Sequence, residues 1–87
     1  MDAQLKSKWV EALRSGEYKQ CAGFLENTEL KEHCCLGVLC VVAGKEPDHL
    51  AYAWLKQATG DYGPFVMMND DDGKSFAEIA DYIEANL

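Results

Sequence analysis

Long apolar runs are missing from this 87-residue sequence. The longest, Cys34 to Ala43, is cut off by Gly44-Lys45-Glu46-Pro47, well short of the roughly 18 to 20 residues that a membrane span requires. A secretory leader is missing too. Asp2, Lys6 and Lys8 surround a lone Leu5 where a basic region followed by an apolar one would be needed, so a cytoplasmic location is expected. Proline occurs only twice and no low-complexity tract is present, while hydrophobic residues at 48% and charged residues at 26% are globular values. Disorder is thereby disfavoured, and the length predicts one domain, 1–87, with a modest core. The chain also lacks a Walker-type phosphate loop, a dinucleotide glycine fingerprint, a Gly-x-Ser-x-Gly elbow and a His-Glu-x-x-His pair. The common routes to an enzyme of this size are closed.

Basic residues are scarce. Eight Lys and Arg face fifteen Asp and Glu, a formal charge of −7. From 61 to 87 the acids Asp61, Asp70, Asp71, Asp72, Glu78, Asp81 and Glu84 meet only Lys74, a net of −6 that leaves −1 for the first sixty residues. Such a field repels nucleic acid and attracts basic protein surfaces. Asp70, Asp71, Asp72, Asp81 and Glu84 are therefore the candidate partner-binding residues, with direct nucleic-acid binding disfavoured. The competing view is that they only solvate a helix and a turn.

Four segments carry helical signals. Leu5, Trp9, Ala12 and Leu13 share one face from about Asp2 to Ser15, opposite Lys6 and Glu11, with Gly16 placed to end the helix. Trp9 reads as a core anchor. The segment 34–43 is apolar nearly all round, as a helix surrounded by the others would be; Gly37 admits a close backbone neighbour and Gly44 caps it, although Val38, Val41 and Val42 keep a buried strand in competition. The third helix begins at Pro47-Asp48, with proline in the first turn, and runs through Leu50, Ala51, Trp54, Leu55 and Ala58 to Gly60. Ser75-Phe76-Ala77-Glu78 is a capping box that starts the fourth, with Phe76, Ile79, Ala80, Ile83 and Leu87 at helical spacing. Residues 23–30 suggest a short hairpin or loop, and Phe65-Val66-Met67-Met68 an extended segment. The predicted fold is mainly α, a compact bundle of about four short helices with room for a small β-hairpin or short sheet. Tyr18, Trp54, Tyr62 and Phe65, where exposed, are candidates for an interface.

Three of the four cysteines lie in the most apolar stretch, and three chemistries compete there. A zinc site built from His33, Cys34, Cys35, Cys40 and Cys21 would need close ligand pairs such as Cys-x-x-Cys, and none exists. On a helix His33 and Cys40 stand roughly 10 Å apart, and Cys34 and Cys35 diverge by about 100°. A nucleophilic thiol at Cys34 or Cys35 gains from a helix N-terminus, with His33 or His49 as base, but no orienting acid stands at a recognisable spacing. Buried, free cysteines acting as small hydrophobes remain the favoured account. Asn69-Asp70-Asp71-Asp72-Gly73 fails as a calcium loop, because aligning its glycine puts Met68 and Ile79 at the first and last ligand positions. A polar turn leading into Ser75 is expected, with no metal and no cofactor.

The blocks Trp9-Val10-Glu11-Ala12-Leu13-Arg14-Ser15-Gly16-Glu17-Tyr18-Lys19-Gln20, Cys34-Cys35-Leu36-Gly37-Val38-Leu39-Cys40, and Asn69-Asp70, Gly73 and Ser75 through Glu84 together resemble small proteins of tailed bacteriophages that have no assigned function. The chain departs from that pattern at Cys21, where a glycine is usual, and in its short middle region. The resemblance carries no catalytic or binding residues. What it implies is a small cytosolic protein made during infection, of a kind that commonly binds and blocks a host or defence component. The expectation is a non-enzymatic protein that docks a bacterial, nucleic-acid-handling partner through its acidic surface. A zinc-stabilised module and a thiol-dependent enzyme are the alternatives.

Overall fold

The chain enters its first helix through Asp2, whose carboxylate accepts the Leu5 N–H at 2.8 Å and so satisfies one of the free donors of α1, Ala3–Arg14. This computed structural model describes residues 1–87. Trp9, Val10 and Leu13 form the buried stripe of α1, and Gly16, at φ +77°, lets the backbone turn away beyond its end. Trp9 is fully buried as expected, and its indole N–H donates to the Cys35 carbonyl at 2.8 Å.

Three two-residue strands follow: β1 Lys19–Gln20, β2 Glu26–Asn27 and β3 Glu32–His33. Their order is β1-β3-β2, with β1 parallel and β2 antiparallel to the central strand. The hairpin anticipated near 23–30 therefore exists, but its second strand lies beyond Leu30, and β1 is an addition. Strands so short and polar carry no alternation to read.

Next comes α2, Cys35–Val42, which is buried from Cys35 through Cys40. Helix prevails over strand here. Cys34 is the N-cap, its sulfur accepting the Gly37 N–H at 3.4 Å. Gly37 is required by space, since a Cβ there would stand 1.9 Å from the Leu25 carbonyl oxygen. The third predicted helix begins as a 3₁₀ turn, His49–Ala51, and continues as α3, Tyr52–Thr59. Asp48 accepts the Leu50 N–H at 2.9 Å, so Pro47 precedes the cap rather than occupying the first turn.

The largest departure follows. Phe65 to Met68 is helical, not extended: α4, Gly63–Val66, runs directly into a π-helical turn, Met67–Asp71. Asp61 accepts the Gly63 N–H at 3.0 Å, Pro64 suits a first turn, and Phe65 packs on Trp9 with ring centroids 5.1 Å apart. Burial of one aromatic outweighs the β preference of Val66. Five α-helices result, one more than predicted.

The last, α5, Phe76–Asn86, begins with the predicted capping box. Ser75 accepts the Glu78 N–H at 3.2 Å, and Glu78 accepts the Ser75 N–H at 3.0 Å. Phe76, Ile79, Ala80 and Ile83 join Trp9, Leu36, Leu39, Leu55 and Phe65 in the core. α1 packs against both α5 and α2. No helix is long and apolar enough to cross a membrane.

Candidate functional site

The acidic turn is held from below by one side chain. Asn69 is 5% exposed, and its amide oxygen accepts the Cys35 N–H at 3.1 Å and the Gln20 side-chain N–H at 2.8 Å. Its amide nitrogen donates to the Cys21 carbonyl at 2.7 Å and to the Asp70 carboxylate at 2.8 Å. The π-helical turn is thus fastened to the end of β1 and to the first turn of α2. Gln20 adds a bond to the Lys74 carbonyl at 2.8 Å, and the Lys74 N–H returns to the Met68 carbonyl at 2.9 Å as Gly73, at φ +65°, ends the turn. Buried amides this fully bonded are costly to disturb.

On this base sit three successive carboxylates. Asp70 is half-buried, and Asp71 and Asp72 are exposed. No Lys, Arg or His lies within 4.0 Å of any of them. The nearest lysine in sequence, Lys74, is drawn instead to Glu78 at 3.9 Å.

Asp81 and Glu84 have a different fate. Both reach across to α1 and grip Arg14, Asp81 at 2.7 Å and Glu84 through the other guanidinium nitrogen. Hydrogen bonds to Asp81 and then Glu84 raise the Arg14 pKa. The five candidate residues are therefore divided, three free of cations and two sharing one. Glu78 stands between them, its carboxyl lowered chiefly by the Ser75 backbone N–H.

The cysteines are free, with Cys34, Cys35 and Cys40 buried and Cys21 half-buried. Burial pushes Cys34 and Cys40 up to about 11, Cys35 well above the ordinary thiol value, and Cys21 up as well. Desolvation outweighs the helix N-terminus at Cys34, the reverse of an activated nucleophile. His33 lies 3.3 Å from Glu26 and edge-on to Tyr18, and neither ring nitrogen hydrogen-bonds a thiol. No three His, Cys, Asp or Glu side chains gather as a metal ion would need.

The aromatic candidates resolve unevenly. Phe65 is 1% exposed and belongs to the core. Tyr18, Trp54 and Tyr62 are half-buried, and Tyr62 packs on Tyr52 with tilted rings 5.2 Å apart while Lys45 lies 5.7 Å from the Trp54 ring. The most exposed apolar side chains are instead Leu50, Phe24, Leu30 and Met67.

Asn69, Gln20 and Arg14 are the residues that sequence reasoning missed. Asn69 had a signal: once 63–71 is taken as helical, it falls four residues after Phe65 on the inward face. Arg14 had a weaker one, as the cation in the last turn of α1.

These features define a mainly helical domain with a small mixed sheet and an acidic turn braced by a buried asparagine. The chain belongs to the family described as Domain of unknown function (DUF8296), whose model matches residues 1–67. The match covers α1 through α4 and stops before Asn69 and all five acidic candidates. No curated protein and no solved structure matches the chain.

Proposed function

We propose that this is a non-enzymatic binding protein of phage origin that docks on, and inhibits, a basic surface of a bacterial host or defence protein, of the kind that handles nucleic acid. Its setting is the cytosol of an infected cell. One observation carries the reading: Asp71 and Asp72 project, beside the half-buried Asp70, from a turn fixed by Asn69 with no cation to neutralise them. Unpaired carboxylates keep their field for a partner. A turn already ordered has little conformational entropy left to lose on binding. Asp81 and Glu84 supply a weaker field, because Arg14 offsets them. A thiol-dependent enzyme is disfavoured by the raised thiols, and a zinc module by the scattered ligands.

Capture from bacterial lysate at low and high salt tests the proposal, with the unmodified protein beside an Asp71→Lys, Asp72→Lys variant. Asp70 is spared because its carboxylate holds Asn69. A nucleic-acid-handling protein retained at low salt, released at high salt and lost from the variant is expected, and the purified pair should compete with nucleic acid. Equal retention by the variant would sink the acidic turn as the docking element.

A further inference from the structure

The four thiols do not have equal neighbours. Cys35 points its sulfur to the Phe65 carbonyl at 3.6 Å, and Cys40 is sealed within the middle of α2. Cys21 and Cys34 are placed differently. In the parallel pair, Lys19 stands opposite Glu32 and Gln20 opposite His33. The Cys21 N–H donates to the His33 carbonyl at 2.9 Å, the bond that closes the Gln20–His33 pair, so Cys21 and Cys34 are the residues that follow this last pair on the two strands.

Neighbouring backbones in a sheet lie about 5 Å apart, and residues one step past a parallel pair leave it from that spacing. That spacing falls inside the span of roughly 4.4 to 6.8 Å between Cα atoms that a disulfide bridges. Both backbones are fixed as well. The Cys21 carbonyl is held by Asn69 at 2.7 Å, the Cys34 N–H by the Leu25 carbonyl at 3.3 Å, and the Cys34 carbonyl by the Val38 N–H at 3.0 Å. Exposure orders the two thiols: Cys21 is half-buried, whereas Cys34 is 7% exposed.

We infer that Cys21 and Cys34 form an oxidative modification site, in which a small-molecule disulfide such as oxidised glutathione converts the pair to an intramolecular disulfide. Cys21, the reachable thiol, loses its proton and attacks one sulfur of the small disulfide. That S–S bond breaks, a mixed disulfide forms on Cys21, and the departing thiolate takes up a proton. Cys34 then attacks the Cys21 sulfur and releases the second small thiol. Two protein thiols are oxidised, one small disulfide is reduced to two thiols, and no other reactant is needed. The cross-link would clamp β1 to the first turn of α2, beside the two groups that Asn69 joins. Burial raises both thiols, so the exchange is slow at neutral pH and quickens as pH rises.

The test incubates the native protein with oxidised glutathione at mildly alkaline pH, then counts thiols after unfolding and maps the linked peptides. The count is expected to fall from the four cysteines of the sequence to two, with the loss of two hydrogens in mass and Cys21 joined to Cys34. The oxidised protein should also unfold at higher denaturant, and Cys21→Ser should keep its three thiols free. A glutathione adduct that stays on Cys21, a bridge to Cys35 or Cys40, or four thiols remaining would each overturn the inference.

Discussion

Two sets of carboxylates in the last third of the chain share one charge sign and differ in everything else. Asp70, Asp71 and Asp72 ride on an irregular turn with a buried amide beneath them and no cation beside them. Asp81 and Glu84 lie on a regular helix, with nothing special beneath and an arginine across from them. In the turn, structure is supplied by hydrogen bonds from below and the charge is left over. On α5, structure is supplied by the apolar stripe and the charge is consumed at the surface. Net charge therefore says little about which carboxylates keep their charge unpaired. What decides it is whether a cation lies within reach.

The sharpest way to break the comparison is Asn69→Ala. It would leave the buried Cys35 N–H and the part-buried Cys21 carbonyl without a partner and cost the Gln20 amide one of its two acceptors. Each unsatisfied group costs on the order of 1 to 3 kcal/mol, so a loss of about 3 kcal/mol is expected after water satisfies part of the deficit. Chemical denaturation would measure it. Amide exchange should quicken at the π-helical turn and the start of α2, while α5 keeps its protection. A loss under about 1 kcal/mol would mean that the turn holds without its amide.

Smaller effects belong to the junction between the two sets. Ser75→Ala removes half of the capping box and should cost about 1 kcal/mol at neutral pH. The sign of its pH dependence follows from Glu78, whose carboxyl is lowered by the Ser75 backbone and side chain. A lowered carboxyl contributes stability above its unfolded pKa, and that contribution fades as pH falls through the folded value. The gap between Ser75→Ala and the unmodified protein should therefore narrow on acidification below about pH 4.5, the ordinary carboxyl value. A gap that stays constant from neutral to acid pH would mean that the Ser75 side chain takes no part in lowering Glu78, whose bond from the Ser75 backbone N–H the variant keeps.

The same division explains what the sequence could show. α1, α2 and α5 were legible because each buries an apolar face at helical spacing, and Ser75-Phe76-Ala77-Glu78 announces its own start. Gly37 was legible as a close approach, now seen against the Leu25 carbonyl. β1 was not, since Lys19 and Gln20 pair only because Glu32 and His33 are brought beside them by the rest of the fold. Nor was the π-helical turn, where local β preference pointed one way and the burial of Phe65 and Asn69 decided the other. The acidic candidates were visible as charges. Their division depends on Arg14, some seventy residues away in sequence, and no local pattern encodes it.

The smallest expected effect on stability is also the finest probe of the division. Arg14→Ala removes an exposed cation whose pairs, being solvent-screened, contribute little to stability. The fold should be nearly as stable as before, while Asp81 and Glu84 lose the charge that offsets them. If these two carboxylates contribute to the field that a basic partner meets, affinity for that partner should rise about twofold to threefold at low salt, with the gain vanishing at high salt. Titration of the captured partner at two salt concentrations would read both numbers. Unchanged affinity would confine docking to Asp70, Asp71 and Asp72, leaving Arg14 as a brace between α1 and α5. Weaker binding would place Arg14 itself in the contact, and the partner surface would then have to carry acids as well as bases.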